Sequence, residues 1–283
     1  MDTIIGLGSA GCNIAKRLAQ YPQYKIIYID TDNTLLSAVD YEHYVSINRQ
    51  NSHEDYEKNY TNLNFSGVSG RVALIVGGSG LISGASLRIL EQLKSHSLSI
   101  IYIKPDLDII TEKARMRERI VFHVLQQYAR SNNFERIYLV DNMKVEEIAG
   151  NVSIKDYWGK INEIIASTIH MINIFSNSNP EMSTFSNIPQ TAKISTFGMV
   201  DIKTGEEKLF FDLESPREKL YYYALNEKEL AENDNLFKKI VNQVKGQAEE
   251  KTRASYGIYA TQYEQNYVYT VHHATLIQGE NIS

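Results

Sequence analysis

Five short runs of largely apolar residues divide the first half of this chain, and they constrain its fold more than any other feature. They lie at residues 3–7, 25–29, 72–76, 99–103 and 136–140. Strands buried on both faces have this composition, and such strands form parallel sheets. Segments with helical periodicity lie between them, at residues 13–20, 85–94 and 112–130. The alternation predicts an α/β fold with a mostly parallel, Rossmann-like nucleotide-binding sheet and helices on both faces.

The pattern changes in the second half of the chain. It predicts a long helix at 156–175, a hairpin with strands at 193–202 and 207–213, a charged helical stretch at 227–251, and strands at 255–260 and 267–277. We therefore predict three parts. These are a nucleotide-binding domain at residues 1–152, a central helix at 153–176 and a smaller α+β C-terminal domain at 177–283.

Charge and composition exclude several classes of function. The net charge of -5 provides no basic field for nucleic acid, so we predict no direct nucleic-acid binding. No apolar run is long enough to span a bilayer, no secretion signal is recognisable, and Cys12 is the single cysteine, so we expect a cytoplasmic protein. His272 and His273 are adjacent on a predicted strand and point to opposite faces. We therefore predict no metal site made by the protein alone.

A glycine-rich turn follows the first predicted strand and reads Gly-Leu-Gly-Ser-Ala-Gly-Cys-Asn at residues 6–13. Glycine allows a tight turn and a close approach of backbone amides to a phosphate, and the helix N-terminus behind it favours an anion. A dinucleotide-binding Rossmann site is one interpretation, because Asp30 ends the second strand where an acidic residue would hold a ribose. A triphosphate site is another, and a packing turn without ligand is a third.

A second glycine-rich segment, Gly-Gly-Ser-Gly-Leu-Ile-Ser-Gly at residues 77–84, also lies between a buried strand and a helix. A dinucleotide fold does not need a second anion-binding turn at this place. A triphosphate does, because several phosphate oxygens require hydrogen-bond donors at once. The second segment therefore favours the triphosphate.

Together these loops resemble those of the tubulin/FtsZ family of GTP-binding proteins. The family's second loop usually reads Gly-Gly-Gly-Thr-Gly-Thr-Gly, and here Leu81 and Ile82 replace a threonine and a glycine. Similar segments follow in order: Asp-Thr-Asp at 30–32, Lys-Pro at 104–105, Asp-Asn-Met-Lys at 141–144 and Asp-Tyr-Trp-Gly-Lys-Ile-Asn at 156–162. The resemblance covers roughly residues 3–202. It implies a divergent, compact member, closer in size to phage or plasmid members.

The resemblance implies a site for GTP or GDP, with Mg²⁺ accompanying GTP. The implied binding residues are Gly8, Ser9, Ala10, Gly11, Cys12 and Asn13 in the first loop; Gly80, Leu81, Ile82, Ser83 and Gly84 in the second; Glu112 and Arg115 for ribose and phosphates; Asn142 for the sugar or base; and Trp158 and Asn162 for guanine. The last two lie one helical turn apart, so they can stack on a purine and read its edge. Alternatively, Trp158 is a core residue and Asn162 a solvated or capping one.

The resemblance also implies head-to-tail assembly into cytomotive filaments of the cytoskeletal type, with GTP hydrolysed where two subunits meet. There the family inserts a loop of pattern Asn-x-Asp-x-x-Asp, whose acids orient the attacking water. Asn179 matches its asparagine, Glu181 matches its first acid in charge, and Thr184 stands in place of the second acid. Threonine is not a carboxylate base, so we expect slow or impaired GTPase activity, polymerisation without efficient turnover, or an acid supplied by a partner.

Two alternatives to a filament-forming GTPase stay open. One is an NAD(P)-binding Rossmann enzyme that uses Gly6, Gly8, Gly11 and Asp30. The other is a degenerate, non-hydrolysing family member with a structural or adaptor role. An adaptor protein as a further partner is compatible both with a filament-forming GTPase and with a non-hydrolysing family member.

Overall fold

A computed structural model describes residues 1–31, 44–233 and 235–279. The chain divides into two compact units, Met1–Ser167 and Thr168–Ser283. In the described residues, no helix combines the length and the apolar character needed to cross a bilayer.

The first unit contains a six-stranded sheet in which every neighbouring pair is parallel. Its strand order is β3-β2-β1-β4-β5-β6. The strands are β1 (Thr3–Leu7), β2 (Lys25–Asp30), β3 (Tyr44–Ser46), β4 (Arg71–Gly77), β5 (Ser97–Lys104) and β6 (Arg136–Asp141). The five predicted strands are therefore confirmed. The three-residue edge strand β3 was not predicted.

The helices of this unit are α1 (Gly8–Leu18), α2 (His53–Lys58), α3 (Ser86–Leu93), α4 (Glu112–Arg130), α5 (Asn142–Ala149) and the first part of α6 (Tyr157–Ser176). A 3₁₀ helix, Leu81–Ala85, precedes α3. The prediction for α4 is confirmed, whereas α1 begins at Gly8 rather than at residue 13. The glycine-rich turn is thus itself the first turn of α1, which brings the helix terminus to the end of β1.

The second unit contains a mixed sheet of strand order β8-β12-β10-β11-β7, with β9 paired to β8. Its elements are the rest of α6, β7 (Met182–Ser183), β8 (Ile194–Val200), β9 (Glu207–Leu209), β10 (Pro216–Asn226), α7 (Glu227–Glu232), α8 (Leu236–Gly246), β11 (Arg253–Thr261) and β12 (Tyr267–Ala274). The predicted hairpin is confirmed as antiparallel β8 and β9. The single charged helix predicted at 227–251 is two helices, because α7 ends at Glu232 and α8 begins at Leu236.

Strand β10 is the longest element of this unit that the sequence analysis missed, and the two-residue β7 was not predicted either. It lies between antiparallel β12 and parallel β11. Tyr221 and Tyr223 on it are almost completely buried, and they pack with Ile240 and Val244 of α8. The tyrosine-rich segment is therefore core rather than an exposed interaction patch.

Candidate functional site

The carboxyl edge of the parallel sheet brings together the segments that the sequence analysis singled out. Strand β1 ends before Gly8, β2 ends at Asp30, β4 at Gly77, β5 at Lys104 and β6 at Asp141. Parallel strands present their carboxyl ends at one edge, where open α/β sheets bind ligands. The predicted binding segments of the first unit therefore meet along one line.

A cleft of about 540 Å³ lies at this edge. Its size is within the range of small-molecule sites. Of the predicted binding residues, six line it: Gly8, Ser9, Ala10, Gly80, Leu81 and Ile82. The other described lining residues are Leu7, Asp30, Thr31, Arg49, Tyr56, Gly77 and Ser79. Residues of both glycine-rich loops thus line one cleft.

The first loop presents the N-terminus of α1 to the cleft. Gly8 has φ +68°, and a Cβ there would lie 2.6 Å from Cγ2 of Ile82 in the second loop. Glycine is needed both for this left-handed conformation and for the close approach of the two loops. No side chain caps α1 at Leu7. The first amides of a helix have no intrahelical partner, so they are available to an anion in the cleft.

Other residues of the first loop pack inward. A Cβ on Gly11 would lie 2.2 Å from the carbonyl oxygen of Ile75 on β4, so this glycine allows α1 to approach the sheet. The Cys12 thiol is fully buried and donates to the carbonyl of Gly6 over 3.3 Å. Burial raises the pKa of Cys12 to about 12. Its side chain therefore lies beneath the loop rather than in the cleft, whereas Asn13 is exposed.

The second loop also contains some residues that line the cleft and others that pack inward. Gly80, Leu81 and Ile82 line the cleft, but the buried Ser83 hydroxyl donates to the carbonyl oxygen of Gly80 over 2.6 Å. A Cβ on Gly84 would lie 2.0 Å from the carbonyl oxygen of His53. Ser83 therefore closes the 3₁₀ turn, and Gly84 allows this turn to pack against α2.

The charged groups of the cleft are Asp30 and Arg49. Among the described residues that line it, Arg49 carries the one positive charge and Asp30 the one negative charge. Asp30 is buried, and its Oδ1 accepts from the amide of Thr31 over 2.7 Å. Asp32, the third residue of the Asp-Thr-Asp turn, lies outside the described residues. Arg49 was missed by the sequence analysis because it follows a three-residue strand in a polar segment without periodicity.

Three predicted residues lie further along the same sheet edge but do not line this cleft. Asn142 is the first residue of α5 and is buried, next to an Asp141 carboxylate that lies 3.3 Å from Nζ of Lys104. Glu112 and Arg115 are exposed in the first turn of α4, and Arg115 lies 3.9 Å from Asp108.

Trp158 and Asn162 lie in the first two turns of α6. Trp158 is 50% exposed and its ring stands edge-on to Tyr157, so its interpretation as a core residue is wrong. An ion pair of 3.4 Å joins Glu163 to Arg17 of α1. This pair links the second turn of α6 to the helix that begins at the cleft.

The predicted hydrolysis segment belongs to the second unit and runs along the edge of β11. Asn179 and Glu181 are exposed. The amide of Glu181 donates to the carbonyl of Ile258 over 2.8 Å, and the amide of Thr184 donates to the carbonyl of Tyr256 over 2.8 Å. The Thr184 hydroxyl accepts from the amide of Tyr256 over 3.0 Å. Thr184 therefore serves as a backbone partner of β11, while the Glu181 carboxylate faces solvent.

No group of three or more His, Cys, Asp or Glu side chains in the described part of the chain is arranged to hold a metal ion. Of the described residues that line the cleft, Asp30 is the one with a carboxylate. A divalent cation here would therefore depend on ligand oxygens as well as protein oxygens.

No protein-family model and no curated protein sequence matches the chain. Solved structures do match. They include a GTPγS-form protofilament of TubZ from Bacillus thuringiensis serovar israelensis, with TM-score 0.72, 14% identity and coverage of 96% of this chain and 86% of TubZ. CetZ1 from Haloferax volcanii, a GDP-bound monomer, matches with TM-score 0.70, 14% identity and coverage of 98% and 95%.

An empty FtsZ dimer from M. jannaschii matches with TM-score 0.69, 13% identity and coverage of 96% of this chain and 87% of FtsZ. These matches extend over both units and over almost the whole of each solved chain. The chain therefore has a divergent tubulin/FtsZ-like fold.

Proposed function

We propose that this chain binds GTP and GDP in the cleft between its two glycine-rich loops and assembles head to tail into filaments, with slow GTP hydrolysis where subunits meet. One observation carries the proposal. Two helix N-terminal loops, Gly8–Ala10 in α1 and Gly80–Ile82, line the same cleft together with Arg49. Two sets of backbone donors and one guanidinium suit a chain of phosphates.

The remaining predicted residues would bind the nucleoside. Trp158 offers an exposed aromatic face, and Asn162 lies one helical turn beyond it. Glu112, Arg115, Asn142 and Asn13 lie at the same edge of the sheet or on the helix that begins there. Mg²⁺ would accompany GTP, held by phosphate oxygens and water, with Asp30 as the carboxylate among the described residues that line the cleft.

Self-association is supported by the neighbours and by the exposed apolar surface at the same edge. TubZ structures of this fold are protofilaments and filaments. Ile109, Met143, Ile154 and Trp158 are large apolar side chains between 43% and 96% exposed, and they lie in the segments that follow β5 and β6. An apolar surface next to the nucleotide suits a contact whose stability depends on that nucleotide.

Hydrolysis is expected to be slow because the candidate catalytic segment offers one carboxylate. Glu181 and Asn179 are exposed and able to meet a neighbouring subunit, whereas the Thr184 side chain is held on β11. A partner protein that supplies the second acid would raise the rate of hydrolysis.

The buried Asp30 at the end of β2 favours one alternative function, an NAD(P) site in which Asp30 holds a ribose.

The test uses Trp158, which is the only tryptophan of the chain and reports directly on the proposed base site. GTP and GDP are expected to raise the melting temperature and change the tryptophan emission, and ATP and NAD⁺ are expected to do neither. Stabilisation by NAD⁺ without stabilisation by GTP or GDP would remove the proposal. Sedimentation with GTP and with a slowly hydrolysed analogue then tests assembly.

A matched pair of variants separates phosphate binding from folding. Gly80 has φ -71° and no contact closer than 3.8 Å to an added Cβ, so it accepts a side chain. Asp and Asn both suit this N-cap position, but Asp adds a negative charge to the cleft. Gly80→Asp is expected to weaken GTP binding at least about tenfold relative to Gly80→Asn, which corresponds to about 1.4 kcal/mol. Equal affinities would place the phosphates elsewhere.

A further inference from the structure

The second loop is held from outside the cleft by a side chain of α4. Nε of Arg117 donates to the carbonyl oxygen of Ser79 over 3.1 Å. Arg117 is half-buried and does not line the cleft, whereas Ser79 and Gly80 do. The Ser79 carbonyl therefore points away from the cleft, toward α4.

The direction of this carbonyl fixes the direction of the next amide. A trans peptide unit is planar, and its C=O and N–H bonds point to opposite sides. When Arg117 holds the Ser79 carbonyl outward, the amide of Gly80 points inward. The Gly80 carbonyl is likewise held, by the Ser83 hydroxyl and the Ser83 amide, which directs the amide of Leu81.

The residues beneath the loop leave it little freedom elsewhere. A Cβ on Gly78 would lie 1.8 Å from the hydroxyl oxygen of Tyr102, and that hydroxyl donates to the Glu118 carboxylate over 3.0 Å. Glu118 directly follows Arg117 on α4. Gly84 packs against the carbonyl of His53, as described above. Ser79 and Gly80 lie between these two fixed points, and Arg117 is the side chain that orients the peptide joining them.

We propose that Arg117 is a positioning residue of the second phosphate-binding loop. It orients the Gly80 amide toward the anion without touching the nucleotide itself. This inference rests on the proposed nucleotide site. It assigns the effect to one hydrogen bond rather than to the positive charge of the guanidinium, and that distinction can be tested by substitution.

Two variants separate the hydrogen bond from the charge. In Arg117→Gln, the amide nitrogen of the side chain stands the same number of bonds from Cα as Nε of arginine, so a donor is kept and the charge is lost. Arg117→Met has the same length and no donor. Arg119→Met serves as control, because it removes an exposed charge from the same helix.

The Kd for a slowly hydrolysed GTP analogue is measured at fixed salt for each protein. Arg117→Met is expected to raise it about tenfold, a change of about 1.4 kcal/mol. Arg117→Gln and Arg119→Met are expected to stay within about threefold of wild type, less than 1 kcal/mol. Equal weakening in Arg117→Gln and Arg117→Met would overturn the proposal in favour of a charge effect. Unchanged binding in Arg117→Met would overturn it altogether.

A measurement without nucleotide keeps this inference distinct from the proposed function. In the ligand-free protein, the NMR order parameter of the Gly80 amide is expected to be about 0.85 in wild type and Arg117→Gln, and to fall below about 0.6 in Arg117→Met. An unchanged order parameter in Arg117→Met would overturn the positioning role. Wild-type protein that binds no GTP analogue but shows the expected order parameters would remove the proposed function and leave the positioning role in place.

Discussion

The close packing of α1 on β4 gives the sharpest prediction about the first loop. Gly11 is interpreted above as a packing glycine, because a Cβ there would lie 2.2 Å from the carbonyl oxygen of Ile75. Real Cβ contacts essentially never fall below 3.0 Å, so Gly11→Ala requires α1 and β4 to separate by about 0.8 Å. Both contacting groups are backbone, so no side-chain rotation relieves the clash.

Overpacking of a well-packed core costs about 1–3 kcal/mol. For a domain of this size, each kcal/mol lowers the melting temperature by about 2–4 °C, so Gly11→Ala is expected to melt about 2–12 °C below wild type. The assay is thermal unfolding of the nucleotide-free protein by differential scanning calorimetry. It isolates packing from any loss of ligand.

Gly246→Ala is the matched control, because an added Cβ there has no neighbour within 4 Å. It lies at the end of α8, where alanine favours the helix over glycine by up to about 1 kcal/mol. Its melting temperature is expected to equal or exceed that of wild type. If the melting temperature of Gly11→Ala equals that of wild type, α1 does not pack this closely on β4, and the assignment of Gly11 to packing is refuted.

Two further predictions concern Cys12 and Thr184. Burial raises the pKa of Cys12 to about 12, so iodoacetamide at mildly alkaline pH is expected to leave the folded protein unlabelled. The same reagent is expected to label the protein fully in concentrated guanidinium. Rapid labelling of the folded protein would contradict the buried thiol. Thr184→Asp is expected to change the GTPase rate less than about tenfold. The reason is that residue 184 lies on the edge of β11 and its side chain accepts from the Tyr256 amide. A larger gain in phosphate release would show that this position reaches the nucleotide.

The fold of the first unit was predictable because its strands are buried on both faces. Ile4, Ile5 and Leu74 lie in runs whose apolar character is the direct consequence of that burial. Strand β10 was missed because it buries charged residues as well as apolar ones. Its Glu218 is buried because Arg253 on neighbouring β11 lies 2.5 Å away, and no local pattern reveals a partner so distant in sequence.

The sheet edge that carries the candidate site was predictable from the sequence, and the role of each glycine was not. The position of both glycine-rich loops at the ends of strands follows from the alternation of strands and helices. Gly11 and Gly84, however, face carbonyl groups of Ile75 and His53, which come from other segments. Glycines that approach a ligand and glycines that approach a backbone look the same in a sequence, because both lack a side chain for steric reasons.

The edge strand β7 has a consequence for the way that copies of this chain can associate. An unpaired strand edge is a template for indiscriminate pairing with other chains. Here residues Glu181 and Thr184 occupy backbone groups of Ile258 and Tyr256, and the outer strand that they flank is only two residues long. Pro180 precedes it and has no amide hydrogen to donate. Backbone pairing with another chain is therefore disfavoured at this edge, and an association of copies there would have to use side-chain contacts.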